Sequence, residues 1–263
     1  MSLKVAYKPN GRTGNNLFQY LTCKIIGYMF GHEYSVSCPE DFYKMDDEIF
    51  MKLLAEEQQT EELRTKNIWC DGFFQNSSFF VKWRARLLED LEKSKDYLPD
   101  NNCGLRSIKD FMRTSHEYNF TNRDVVISLR LDDFYQAPRE TSDIIPPDFY
   151  TSLLKTMDFD RLYIVVDKPR HSWEHAYLRH FDQWNPTIIS GTLEHDASVM
   201  RSARRLIHSN STLCWLSSFM SHKTERHIPN THFYKMQQLG IINEETDKIY
   251  DVQPLTHKEV HSL

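Results

Sequence analysis

The stretch Gly11–Tyr20, GRTGNNLFQY, constrains this chain more than any other. It follows a short β-like run, Lys4–Tyr7, and leads into Leu17, Phe18, Leu21, Ile25, Ile26 and Met29, whose spacing puts apolar groups on one helical face. A strand, a tight turn and a helix are expected. Gly11 and Gly14 permit backbone angles and close approaches that a Cβ would obstruct, while Arg12, Asn15 and Asn16 crowd charge and amide groups onto the same turn. In an open α/β sheet, turns of this kind line the ligand crevice at the strand ends. The turn has neither the GK[ST] of a Walker A loop nor the third glycine of a dinucleotide fingerprint. Taken alone, it reads as a glycine turn joining two core elements.

The alternation of strands and helices continues along the chain. Glu33–Ser37 is expected as a strand, Asp46–Gln59 as a helix, Ile68–Phe74 as a buried strand and Ser77–Lys93 as a helix. Tyr97–Cys103 has the composition of a loop, and a short amphipathic piece follows from Leu105 to Met112. The polar segment Ser115–Arg123 suggests a junction, giving an amino-terminal lobe of residues 1–118 and a carboxy-terminal lobe of residues 119–263. Beyond it, Val125–Leu131 reads as a strand, Pro147–Met157 as a helix opened by proline, and Leu162–Val166 as a strand. Trp173–Phe181, Ser198–Arg204 and Ser211–Met220 are expected as helices, with strands at Thr187–Ile189 and Arg205–His208. After Ile228 and Pro229 the periodicity weakens; Lys235–Leu239 suggests a turn or two of helix, and the last residues carry no clear element.

At 263 residues, with 40% hydrophobic and 13% aromatic residues, the chain can bury a substantial core. Its net charge of -5 argues against a general nucleic-acid surface, which needs concentrated Lys and Arg. Five cysteines without a CxxC or zinc-type spacing read as free thiols. With no signal peptide or membrane-spanning run visible, the cytoplasm is the expected location.

Polar residues gather at the predicted strand ends. Arg130, Asp132 and Asp133 follow a strand directly, where Arg can hold phosphate oxygens and a carboxylate can take a proton; the same cluster is equally a surface ion-pair group. Asp167 also ends a strand, as an acceptor for a ligand or a cap for the next helix. Asn210, Ser211 and Thr212 open a helix whose free N–H groups suit a diphosphate, though Ser and Thr are also ordinary caps. His195, Asp196 and His208 lack a metal-ligand spacing, and no metal is expected.

GRTGNNLFQY resembles the G-x-x-G-N-Q-L-F-Q-Y signature of α-1,2-fucosyltransferases, glycosyltransferase family 11 and relatives, with Asn16 in place of Gln. Three further segments extend the resemblance to about Trp215. IWCDGFFQNSSFF is similar to an L-x-G-Y-F-Q-x-x-x-Y-F segment and marks Gln75. SLRLDD resembles H-x-R-R-G-D, Arg130 and Asp133 matching the first Arg and the Asp, with Ser128, Leu131 and Asp132 in place of His, the second Arg and Gly. Asp167 and Pro169 match part of an S-D-D-P-x-W-like segment, and Asp196, Met200, Asn210, Ser211, Thr212 and Trp215 fit a segment ending N-S-[ST]-F-S-W-W. The resemblance implies an α/β, GT-B-like fold with two Rossmann-like lobes facing a central cleft. It implies an inverting, metal-independent transferase moving a sugar, first of all fucose from GDP-fucose, to a glycan hydroxyl. Arg130, Asp167, Asn210, Ser211 and Thr212 would hold the donor; Arg130, Asp132 and Asp133 would serve catalysis; Arg12, Gly14, Asn15 and Gln75 would face the sugar or acceptor. Another GDP- or UDP-linked sugar, or a silent nucleotide- or glycan-binding protein, are the alternatives.

Overall fold

The computed structural model describes residues 2–54, 61–99, 105–112, 118–131, 143–221, 224–236 and 238–263. The chain is α/β and divides into two compact units, Met1–Arg113 and Thr114–Leu263.

In the first unit, β1 (Lys4–Tyr7) runs through the turn into α1 (Thr13–Phe30), as the apolar spacing requires. Left-handed Gly31, at φ 80°, ends the helix and donates its N–H to Gly27 O at 2.9 Å. The strands β2 (Glu33–Tyr34), β3 (Phe42–Met45) and β4 (Asn67–Cys70) complete a wholly parallel sheet in the order β2-β1-β4-β3. Helix α2 (Asp47–Leu54) precedes the short α3 (Glu62–Thr65), and α4 (Ser77–Lys93) is capped by Asn76, which accepts from Phe79 N at 3.1 Å. Edge-on ring contacts of Phe50 with Phe74 and Phe79, and of Phe18 with Phe80, fill the core between these helices. The expected strand over Ile68–Phe74 stops at Cys70, because Asp71–Gln75 turn away with Phe74 at φ 56°. Part of the expected loop over Tyr97–Cys103 is instead β5 (Tyr97–Pro99), antiparallel to β6 (Leu105–Ser107), after which α5 covers Ile108–Met112.

The second unit holds six parallel strands in the order β12-β11-β10-β7-β8-β9. They are β7 (Asp124–Ser128), β8 (Arg161–Val165), β9 (Thr187–Ile189), β10 (Arg205–Ile207), β11 (Glu225–Asn230) and β12 (Asp247–Asp251). The helices between them are α6 (Pro147–Thr156), α7 (Ser172–Arg179), α8 (Leu193–Ser202), α9 (Thr212–Phe219) and α10 (His232–Met236), and α11 (His257–His261) ends the chain. All of β7 is buried, as a central strand with cover on both faces must be. Val125 and Ile127 enter one core with Tyr150, Leu154, Ile164, Tyr177 and Phe181, while Val126 enters the other with Val165, Val199, Met200 and Leu206. Period-two alternation along one strand thereby serves two helical layers. Beyond Pro229, where a turn or two of helix at Lys235–Leu239 is the one element expected, the chain forms α10, β12 and α11. Helix α8 also begins earlier than expected, at Leu193 behind the Thr192 cap.

Candidate functional site

Strand order fixes where a ligand can enter the second unit. From β7 the chain steps outward to β8 and β9, then α8 carries it back to β10 on the opposite side of β7. This is the strand order of dinucleotide-binding folds, and its reversal point, where such folds open their crevice, lies between β7 and β10. Across that point the Ser128 and Ser209 hydroxyls stand 3.5 Å apart. Leu129 N donates to Val165 O at 2.8 Å, so pairing continues one residue past β7 and delivers half-buried Arg130 to the strand end. The other two predicted catalytic residues, Asp132 and Asp133, lie outside the described residues.

Opposite Arg130, the loop from β10 to α9 is tied down on every side. Tyr150 donates its hydroxyl to His208 O at 3.3 Å, and Tyr234 donates to Ser209 O at 2.8 Å. Asn210 is fully buried; its amide nitrogen donates to Asp143 O and its amide oxygen accepts from Thr231 Oγ1, both at 2.7 Å. Its side chain is therefore engaged inside the protein and fixes the loop. Ser211 caps α9, accepting from Cys214 N at 3.2 Å. The N–H groups of Thr212 and Leu213 and the partly exposed Thr212 hydroxyl have no hydrogen-bond partner among the described residues, and no acidic residue occupies the first turn. The positive end of the helix is thus open toward an anion.

Asp167 is exposed two residues past β8, next to β7. It does not cap α7. Glu174 does so, its carboxylate accepting from Arg170 N at 2.6 Å and His171 N at 2.7 Å. An acidic residue in this position of a dinucleotide fold accepts a ribose hydroxyl.

The first unit has its own reversal point, between β1 and β4, and the predicted sugar- or acceptor-binding residues converge there. Gly11 adopts φ 74°, and a Cβ on it would collide with the Asn15 amide. Arg12 is exposed, while Gly14 is buried on the same turn. Asn16 donates to Gly11 O at 3.3 Å and Arg12 O at 3.1 Å, closing the turn on itself. Gln75 Nε2 donates to Asn15 Oδ1 at 2.9 Å, joining the loop after β4 to the turn after β1. The oxygens Gln75 Oε1 and Asn16 Oδ1 are buried without a partner among the described residues, a costly state for an amide oxygen. Two residues that sequence reasoning passed over hold this arrangement. Gln19 donates to Lys8 O at 3.0 Å and Gly72 O at 2.7 Å, and Asp47 accepts from Phe73 N at 3.1 Å and Phe74 N at 2.7 Å. Gln19 was visible inside the opening motif. Asp47 gave no signal, because its partners are backbone groups far along the chain.

No group of three or more His, Cys, Asp or Glu among the described residues has metal-ligand geometry. No described helix is long and apolar enough to cross a membrane.

No protein-family model matches the chain, and no curated protein does. Among solved structures, the crystal structure of POFUT1 in complex with GDP is similar with a TM-score of 0.36 and 11% identity, over 85% of this chain and 72% of that one. A likeness of that size leaves the function to the residues themselves.

Proposed function

We propose that the chain is a glycosyltransferase that takes its sugar from a nucleoside-diphosphate donor, GDP-fucose first, and passes it to a glycan hydroxyl with inversion and without a metal. One observation carries this reading: the reversal point between β7 and β10 has Arg130 on one side and the open first turn of α9 on the other. A guanidinium at one strand end and a helix amino terminus at the next suit a diphosphate, and both would act most strongly on the charge that develops as it departs. In this reading Asp167 accepts the ribose, Thr212 and the α9 amides bind phosphate, and Asn210 and Ser211 set their positions. Asp133 or Asp132 takes the acceptor proton. Arg12, Gly14, Asn15 and Gln75 bind the sugar or the acceptor.

A second donor has support in one feature. Where the fucosyltransferase motif has His, Arg and Gly, this chain has Ser128, Leu131 and Asp132, exchanging a cation for an anion. That change favours another GDP- or UDP-linked sugar over GDP-fucose. Incubation with GDP-fucose, other GDP-sugars and UDP-sugars, with and without a glycan panel, tests the proposal. Nucleoside diphosphate should be released faster when acceptor is present, with the anomeric configuration inverted in the product. Tight nucleotide binding with no turnover of any donor would instead mark a silent binding protein.

A further inference from the structure

A second polar group stands at the β8–β9 end of the same sheet. Asp196, on the first turn of α8, is almost fully buried, and its Oδ1 accepts from Gly191 N at 3.0 Å. The same oxygen lies 3.2 Å from His195 Nδ1. Gly191 makes the pairing possible, since a Cβ there would collide with the His195 ring and crowd the Asp196 carboxylate. With Asp196 ionised and the ring neutral, Nδ1 donates to the carboxylate and Nε2 is the acceptor of the ring. His195 keeps 31% of its side chain exposed, so the ring is within reach of a ligand. Val166 N donates to Ile189 O at 3.0 Å, so the chain leaving β8 with Asp167 runs beside the chain leaving β9 toward Gly191 and His195. Partly exposed His195 and exposed Asp167 therefore stand at neighbouring strand ends beside the crevice.

We infer that His195 is a specificity residue of the nucleotide site, accepting the 2′-hydroxyl of a ribose cis-diol while Asp167 accepts the 3′-hydroxyl. The inference rests on the nucleotide-binding reading above. With the diphosphate at the reversal point, the nucleoside runs outward over β8 and β9, where these acceptors stand. A ribose presents two adjacent donors to them. A site built to bond a hydroxyl rejects the analogue that lacks it, because the protein group is then left unpaired.

The test is calorimetric titration of the whole chain with GDP and 2′-deoxy-GDP, for wild type, His195→Ala and His195→Gln, with a thermal melt of each. Wild type should prefer GDP by roughly tenfold, the scale of one hydrogen bond in a partly buried site. His195→Ala should lose most of that preference while binding 2′-deoxy-GDP as wild type does, and His195→Gln, which keeps an acceptor, should recover part of it. A wild type indifferent to the 2′-hydroxyl, or a His195→Ala protein with undiminished preference, overturns the inference and leaves the nucleotide site standing. If His195→Ala does not fold, the Gln variant carries the same comparison. Failure of wild type to bind either nucleotide overturns both.

Discussion

His208 and His227 lie on neighbouring strands of the second unit, the one just past β10 and the other on β11, and both are buried. Burial lowers the His208 pKa to about 3, helped by the positive charge of Arg226. It lowers that of His227 to about 4, against the opposing pull of Glu225. Each ring also meets a tyrosine hydroxyl, Tyr234 at 3.3 Å and Tyr250 at 2.8 Å. In the unfolded chain both rings take up a proton near pH 6.5. Below that pH the unfolded state binds protons that the folded state refuses, so stability is full above pH 6.5 and declines as pH falls toward 4. Between those limits each histidine raises the unfolding constant about tenfold per pH unit. Denaturant midpoints at pH 7 and pH 5 should therefore differ clearly in wild type, and much less in a His208→Asn, His227→Gln protein. An equal difference in both proteins would place the acid sensitivity elsewhere. Neither role was legible in the sequence, where His208 is one polar residue at a strand end. Asn210 shows the same limit. Its motif suggested a ligand contact, but its partners Asp143 and Thr231 are remote in sequence, and only the fold reveals them.

Among the elements, the two carboxy-terminal strands were the hardest to read. β11 is ERHIPN and β12 is DKIYD, neither with an apolar run. Their charges are matched internally instead. Arg226 and Asp247 form a buried pair at 2.6 Å between the strands, and Asp247 also accepts from Ile242 N at 2.7 Å. Lys248 pairs with Glu225 nearer the surface. Hydrophobic periodicity is blind to a strand pair stitched by ions. β3 was missed for a related reason, being a four-residue strand at the sheet edge whose Lys44 pairs with Asp71. β1, α1, β7, α6 and β8 were legible because each buries an apolar face against its neighbours. Replacing Asp247 by Ala strands a buried guanidinium and should cost about 3–5 kcal/mol of unfolding free energy in a urea titration. A loss below about 1 kcal/mol would mean that the pair does not secure β12 to the sheet.

For the molecule as a whole, the chain is two α/β units with parallel sheets, each with a reversal point where its polar loops gather. Sequence reading found the polar residues at both points, because glycine turns and charges after apolar strands are local patterns. What it could not find was the pairing of strands that are distant in sequence, β1 with β4 and β7 with β10, which turns separate loops into sites. The two sites differ in chemistry. The first unit gathers amide side chains, Asn15, Asn16 and Gln75, whereas in the proposed function the second meets an anion with Arg130 and helix amides. In the proposed function, the second unit holds a nucleoside diphosphate through Arg130 and α9. Titration calorimetry of wild type and Arg130→Ala with GDP and UDP tests it most directly. Wild type should bind GDP in preference to UDP, and the folded variant should bind it roughly tenfold to a hundredfold more weakly, as loss of a charged hydrogen-bond donor implies. Undiminished GDP affinity in Arg130→Ala, or no binding of either nucleotide by wild type, would contradict it.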